Sequence, residues 1–340
     1  MSTFPVIKLS GDARARGLSY GRQLGSRIHR TFAFYHDVVF RNAALPKAEL
    51  QKRTVDLMAL SRGVFPELVK EIEAIAEAAE IEPWCVFLLN ARTEVLNASV
   101  GECTSLAVPE TRILAQTWDW IRELEELVVI TEVEKDDGQR FVTLVEPGML
   151  AKIGMNSRGF GIGLNFLKAE QSLDGVPVHL VLRALLECSN LAEAREVIRR
   201  SGLGKASFIP VATATGEAAG FEFAGDGMAE LEPVDGVLLH TNHCLSDRLS
   251  SEMLGSSAER LATTAAHLAN DAARGVEAMN RFLSDATQGE NAVQCAYRAR
   301  PELSGLEVGT CATIIMDLAA GAFHFRRGPD GAGGFDVLRV

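Results

Sequence analysis

Two textures meet at Gly101, and that junction limits the fold more than any other feature of the chain. From about Asp12 to Leu96 the apolar residues recur at helical spacing. In FPELVKEIEAIAEAAEI, Leu68, Ile72, Ile75 and Ala79 share one face, and Glu71, Glu73 and Glu77 fall largely elsewhere. Pro66 sits in the first turn, where a missing N–H is tolerated. A second helix is expected after Pro83, through WCVFLLNARTEV. Beyond Gly101 short β-rich runs take over. TSLAV and ILAQTWDW flank PETR; LVVITEVE and RFVTLVE flank KDDGQ, whose Asp137-Gly138 is a hairpin signal. Further strands are expected at GFGIGLNFL, SFIPVATAT, AAGFEFAG, GVLLHTNH, CATIIMDL and AAGAFHFRRG. Helices are expected after Pro177 and across SAERLATTAAHLANDAARGVEAMNRFLSD. Strand runs broken by helix pairs lack the alternation of a doubly wound sheet. They predict a layered α+β fold, with antiparallel sheets covered by helices.

Charge and composition narrow the function classes. With 34 basic against 45 acidic residues, the net charge is −11, so the chain lacks the basic footprint of a general nucleic-acid binder. Apolar runs are broken by charge before they reach membrane-spanning length. The start, MSTFPVIKLSGDARARG, has no charged region leading into an apolar one, so no secretory signal is expected. The six cysteines are scattered without a CxxC pair, which suggests reduced thiols in a cytoplasm.

Three motifs are set aside. GLSYG at Gly17 to Gly21 fits a nucleophile elbow, but the charged SGDARAR before it is not the buried strand an elbow needs. It reads as a chance match inside a helix. GFGIG around Gly161 lacks the third glycine of a dinucleotide fingerprint and reads as a buried strand. In HTNHC, His240 and His243 would point to opposite faces of a strand, and no complementary ligands are evident. No metal and no cofactor are expected.

Cys103 stands apart by position. It lies at the helical-to-β junction and runs straight into Thr104, Ser105 and a strand, whereas Cys85, Cys188 and Cys311 sit among apolar neighbours or at a helix end. A free cysteine is commonly buried and inert, so position alone favours a core residue at Cys103 over a nucleophile.

The segments GECTSLAV, LAQTWDW, VEPGMLAKIGMNSRGFGIGLNFL and LLHTNHCL, in that order, resemble the penicillin acyltransferases (acyl-CoA:6-aminopenicillanic acid acyltransferases) and their bacterial autoproteolytic acyltransferase/hydrolase relatives. IGMNSRGFGIGLNF is also similar to the matching region of bile-salt and penicillin V hydrolases. The resemblance runs from ARARGLSYGRQLG to CATIIMD. It implies an N-terminal-nucleophile hydrolase: a four-layer αββα sandwich preceded by a mainly helical N-terminal segment. It also implies an inactive single chain that breaks its own Glu102–Cys103 bond. A helical α chain, 1–102, would then stay associated with a catalytic β chain, 103–340. Chemistry agrees with this scheme. A thiol needs a base near neutral pH, and a freed α-amino group, with a pKa of roughly 7.7–8.0, supplies one on the same residue.

By position in the family motifs, Asp119 is expected to anchor the new ammonium or an incoming amine. Asn242 of the TNH motif and Asn165 of GLNF, the latter through its backbone N–H, would hold the oxyanion. Ser105 would assist maturation, and Trp118 and Trp120 would line an acyl pocket. Taken without the resemblance, the preferred readings are buried asparagines serving loop backbone, a strand serine and core aromatics, while Asp119, between two tryptophans in an apolar run, fits a solvated strand-end carboxylate less well. The implied activity is that of a self-cleaving cysteine amidohydrolase/acyltransferase acting on a small N-acyl amide or acyl donor through a Cys103 thioester. The alternatives are an acyl-CoA-dependent N-acyltransferase, an uncleaved non-catalytic binding relative, and an unprocessed thiol enzyme using His240 or His243 as base. A homo-oligomer is left open. Two departures matter: Glu102 stands where the fungal enzymes have glycine, which tolerates strained backbone better, and VGTCATIIMD lacks the arginine of their Ser-Arg pair, which weighs against a penicillin-type substrate, with Arg298 and Arg300 nearby in sequence as candidate substitutes.

Overall fold

The structure is a computed structural model and describes residues 3–41, 46–96, 101–170, 174–225, 227–329 and 334–340. Strand β1 (Val6–Ser10) precedes helices α1 (Ala13–Phe34), α2 (Lys47–Val64), α3 (Pro66–Ala78) and α4 (Pro83–Leu96). Strands β2 (Glu102–Val108) and β3 (Ile113–Ile121) form the hairpin expected around PETR. The short α5 (Arg122–Glu125) leads to β4 (Val129–Glu134), β5 (Arg140–Val145), β6 (Ile153–Asn156), β7 (Phe160–Ile162) and β8 (Asn165–Phe166). Helices α6 (Val178–Leu185) and α7 (Leu191–Ser201) follow, then β9 (Ser207–Thr213), β10 (Ala218–Ala224), β11 (Gly227–Leu231) and β12 (Leu238–His240). Helices α8 (Ser257–Asn270) and α9 (Val276–Leu283) precede β13 (Arg298–Ala299), β14 (Glu307–Asp317), β15 (Ala322–Arg327) and β16 (Asp336–Arg339).

Among the described residues the strands form two sheets. One runs β1-β4-β5-β6-β7-β9-β10-β11, with β8 against β9; the other runs β12-β2-β3-β14-β15-β16, with β13 against β14. Alternating side chains give each sheet two faces, and both are covered. Ile130, Leu144, Met155 and Phe208 of the first sheet meet Ala107, Leu114, Trp118 and Ile314 of the second in one buried cluster. The opposite face of the first sheet, with Val129, Val145, Ile209 and Phe221, packs on helices α1–α4, α6 and α7. The opposite face of the second, with Leu106, Ala115 and Ile315, packs on Met279 and Phe282 of α9. The result is the four-layer αββα sandwich.

Two differences from the sequence reading have local causes. The N-terminal segment is not wholly helical: VIKLS forms β1, parallel to β4, a five-residue run too short to show a period. Glu71 does not lie away from the core. It is buried against Arg16 at 2.6 Å, with Arg183 at 3.7 Å, so a buried ion pair occupies a position that charge alone would assign to solvent. GLSYG lies inside α1 as expected, and its glycines have a packing role. A Cβ on Gly17 or Gly21 would come within 2.4 or 2.5 Å of the backbone oxygens of Glu71 and Ile75, so the spacing lets α1 and α3 cross closely.

Candidate active site

The hairpin β2–β3 sorts its side chains by parity. Cys103 pairs with Trp118 and Ser105 with Gln116, and these point into the space between the sheets; Glu102 pairs with Asp119 on the face turned toward α8. Cys103 is therefore the second residue of an interior strand buried along its whole length. Its backbone N–H donates to Asn242 Oδ1 at 2.8 Å, and its carbonyl accepts from Arg260 Nη1 at 2.6 Å. Arg260 Nη2 reaches the same Asn242 Oδ1 at 2.7 Å. Burial, with Asp119 adding to it, pushes the Cys103 thiol up to about 11 against the pull of Lys152 and Arg260. In the intact chain the sulfur is held as a thiol.

Asp119 is 1% exposed. Its Oδ1 accepts from Thr310 at 2.6 Å, across a β-bulge in β14 between Thr310 and Ala312. Its Oδ2 has no hydrogen-bond partner. Burial pushes its pKa up to about 7, despite the opposing Arg260 and Thr310. Glu102 behaves oppositely. Burial would raise it, but Arg260, Ser256 and Arg300 prevail and hold it below the usual carboxylate range.

The two asparagines meet the surroundings of Cys103 in different ways. Asn242 Nδ2 donates to Phe166 O at 2.8 Å. Asn165 Nδ2 ties down the carbonyls of His240 and Thr241 at 3.1 and 2.9 Å, and its Oδ1 is unpartnered. Ser105 Oγ, two residues along β2 from Cys103, is buried and unpartnered too. Trp118 and Trp120 lie on the Cys103 face, and the Lys152 ammonium sits 3.3 Å from the Trp118 ring centroid. The candidate bases from HTNHC are engaged elsewhere. His240 is fully buried, stacked on Phe208, with its nitrogens on Glu222 and Thr241 O. His243 Nδ1 meets Ser257 Oγ at 2.7 Å, and burial lowers its pKa. No cluster of three or more metal-ligating side chains occurs among the described residues.

Sequence reasoning missed Arg260. Its signal was present: Ser257, Arg260 and Thr264 recur at helical spacing along α8 and form its buried face, while Leu261, Ala265 and Leu268 line an open groove instead. A polar stripe where an apolar one is expected marks a helix that serves a site. Of the two arginines considered as substitutes, Arg300 reaches the site, at 2.9 Å from Glu102, and Arg298 pairs with Glu290. Also missed was the cluster behind the tryptophans. Tyr35, on the π-helical turn Tyr35–Phe40, donates to Glu146 at 2.5 Å; Arg92 and Lys152 reach Glu146 Oε2 at 2.8 and 3.0 Å.

The sequence profile of the acyl-coenzyme A:6-aminopenicillanic acid acyl-transferase family matches residues 107–328. The chain belongs to this family. One relative is the 40 kDa form of acyl-coenzyme A:6-aminopenicillanic-acid-acyltransferase from Emericella nidulans, 28% identical over 248 residues, which cover 70% of this chain and 69% of that protein. Another is the beta-alanyl-dopamine/carcinine hydrolase of Drosophila melanogaster, 27% identical over 231 residues; the match covers 59% of each chain. A mutant conjugated bile acid hydrolase from Clostridium perfringens superposes with a TM-score of 0.49 at 13% identity, over 71% of this chain and 92% of that one. The two sequence relatives are thus an acyltransferase and a hydrolase by name. No helix among the described residues is long and apolar enough to cross a membrane.

Proposed function

We propose that this family member is a self-cleaving cysteine amidohydrolase that hydrolyses a small N-acyl amide through a Cys103 thioester. The observation that carries the reading is the grip on one backbone nitrogen. Cys103 N, at the start of a buried central strand, faces Asn242 Oδ1 at 2.8 Å, with a buried, half-partnered carboxylate on the neighbouring strand. In the intact chain that nitrogen is an amide and has no basicity. Attack of Cys103 Sγ on the Glu102 carbonyl, with the thiol proton passing to nitrogen, breaks the C–N bond and leaves Glu102 as a thioester. Water then hydrolyses the thioester, releasing the Glu102 carboxylate and restoring the thiol beside the new amine. The new α-amino group takes the sulfur's proton in each turnover and returns it to the leaving amine.

Asp119 Oδ2 is the proposed partner of the resulting ammonium. Asn242 Nδ2, after exchanging its bond to Phe166 O, and the backbone N–H of Asn165 are the proposed oxyanion donors. Ser105 is assigned to proton movement during maturation, and Trp118 and Trp120 to the acyl wall. The two products are an α chain, 1–102, and a β chain, 103–340. The six cysteines are free of one another, which supports a reducing, cytoplasmic setting. A second reading, acyl transfer from coenzyme A to an amine, is favoured by the family match itself; it uses the same thioester with an amine in place of water.

Intact-mass analysis tests the reading. Two chains dividing at Cys103, and one chain in Cys103→Ala, are expected. A permanently single chain whose Cys103 still turns over amides overturns it.

A further inference from the structure

The side chain of Glu102 occupies a built anion pocket. Its Oε1 receives Arg300 Nη2 at 2.9 Å. Its Oε2 receives Ser256 Oγ at 2.7 Å, Ser256 N–H at 3.3 Å and Arg260 Nη2 at 3.1 Å. Gly255, at φ +42°, closes over the carboxylate: a Cβ there would lie 2.4 Å from Glu102 Oε1. The Glu102 side chain is 10% exposed, whereas Arg300 is 31% exposed, so one wall of the pocket reaches solvent. Buried guanidinium groups are strongly disfavoured without an anion. Removing Glu102 from this place creates a demand for another carboxylate.

Covalent geometry fixes how far that demand lies from the reacting carbon. From the Glu102 carbonyl, three carbons lead to the side-chain carboxylate. During self-cleavage this carbonyl becomes bonded to Cys103 Sγ. The substrate's acyl carbonyl later forms the same bond to the same atom. Resting on the self-cleavage reading, we infer that the vacated pocket selects the substrate. The enzyme takes amides whose acyl part carries a second carboxylate three carbons beyond the scissile carbonyl, a glutaryl- or glutamyl-type group. Arg300, Ser256 and Arg260 bind it where the Glu102 carboxylate lay.

The test uses purified full-length protein, sorted first by intact mass. Cleaved protein is assayed with N-glutaryl and N-pentanoyl p-nitroanilide, which match in length and differ by one carboxylate. The glutaryl compound is expected to show a kcat/KM about 10- to 100-fold higher, carried mainly by KM. Arg300→Ala is expected to shrink that ratio about tenfold, and Arg300→Lys to restore part of it. As a second readout, glutaramate is expected to protect Cys103 from iodoacetamide at lower concentration than pentanamide. Equal or inverted preference in cleaved protein, by both readouts, overturns the pocket assignment and leaves self-cleavage standing. A chain that never cleaves overturns both, because Glu102 never leaves.

Discussion

Two buried polar clusters flank the tryptophans of β3, and they are built to opposite rules. Behind Trp120, every charge is answered. Arg92 donates to Tyr35, His179 and Glu146; Lys152 donates to Glu146; Trp120 Nε1 donates to Tyr35. Burial keeps His179 neutral, so it can accept from Arg92 while Nδ1–H donates to Ala151 O. Around Cys103, by contrast, Ser105 Oγ, Asp119 Oδ2 and Asn165 Oδ1 have no partner. A buried polar atom without a partner costs about 1–3 kcal/mol. The first cluster resembles a finished structural joint. The second leaves hydrogen-bonding capacity unused, the pattern expected where function is set against stability.

The widest test of that contrast removes the sulfur. Cys103→Ala is expected to abolish self-cleavage and lower amidase activity by about 10³-fold or more, with little change in unfolding. Thiol-probe labelling and intact mass read the first effect, and urea unfolding the second. The reverse pattern is expected behind Trp120. Glu146→Ala strands Arg92 and Lys152 and is expected to destabilise the fold by about 3–5 kcal/mol. Measured in the uncleavable Cys103→Ala background, a loss below about 1 kcal/mol would erase the distinction between the two clusters.

A third expectation follows from Asp119, whose pKa is pushed up to about 7 by burial. In the unfolded chain it ionises near the ordinary Asp value. Between about pH 4 and 7 the unfolded state has therefore released a proton that the folded state keeps, and the group erodes stability across that window, with a plateau above it. Asp119→Asn has no such titration. In the Cys103→Ala background its advantage over the parent should grow from pH 4 to 7, by on the order of 3 kcal/mol, and then stay flat. A gap that does not move with pH would show that Asp119 is ionised in the fold. In cleavable protein the same substitution should slow maturation.

The hairpin and the strands were readable because each short apolar run is bounded by a turn signal, as Asp137-Gly138 bounds β4 and β5. The layering was readable because strand runs and helix pairs do not alternate. The position of Cys103 was readable as a junction, but its partners were not. Arg260 lies 157 residues further along the chain and reaches it only because α8 lays a polar stripe on β2. Glu71 and Glu146 sit in patterns that look like ordinary surface acids, and only tertiary pairing buries them. Charge partners at long separation leave no local period, so spacing arguments pass over them. The family order of motifs pointed to Asn242 and Asp119; it gave no hint that Glu102 would carry its own pocket.

The smallest effect is also the most discriminating, because its two readouts should move in opposite directions. Ser105 Oγ is fully buried, two residues from Cys103 on the same face, and makes no hydrogen bond. If it were only a packing residue, Ser105→Ala would leave maturation at its native rate. If it is held for maturation, deletion removes a desolvated oxygen that contributes nothing to the fold. Stability in the Cys103→Ala background should then rise by about 1 kcal/mol. Cleavage of the otherwise native chain, followed by mass over time, should slow by about tenfold or more, since positioned proton transfer contributes about 10²–10⁴-fold when it is complete. Thr at this position keeps the hydroxyl and should restore cleavage while giving back the stability gain. A stabilised variant that matures at the native rate would place Ser105 with the core, and the contrast between the two clusters would then rest on Asp119 and Asn165.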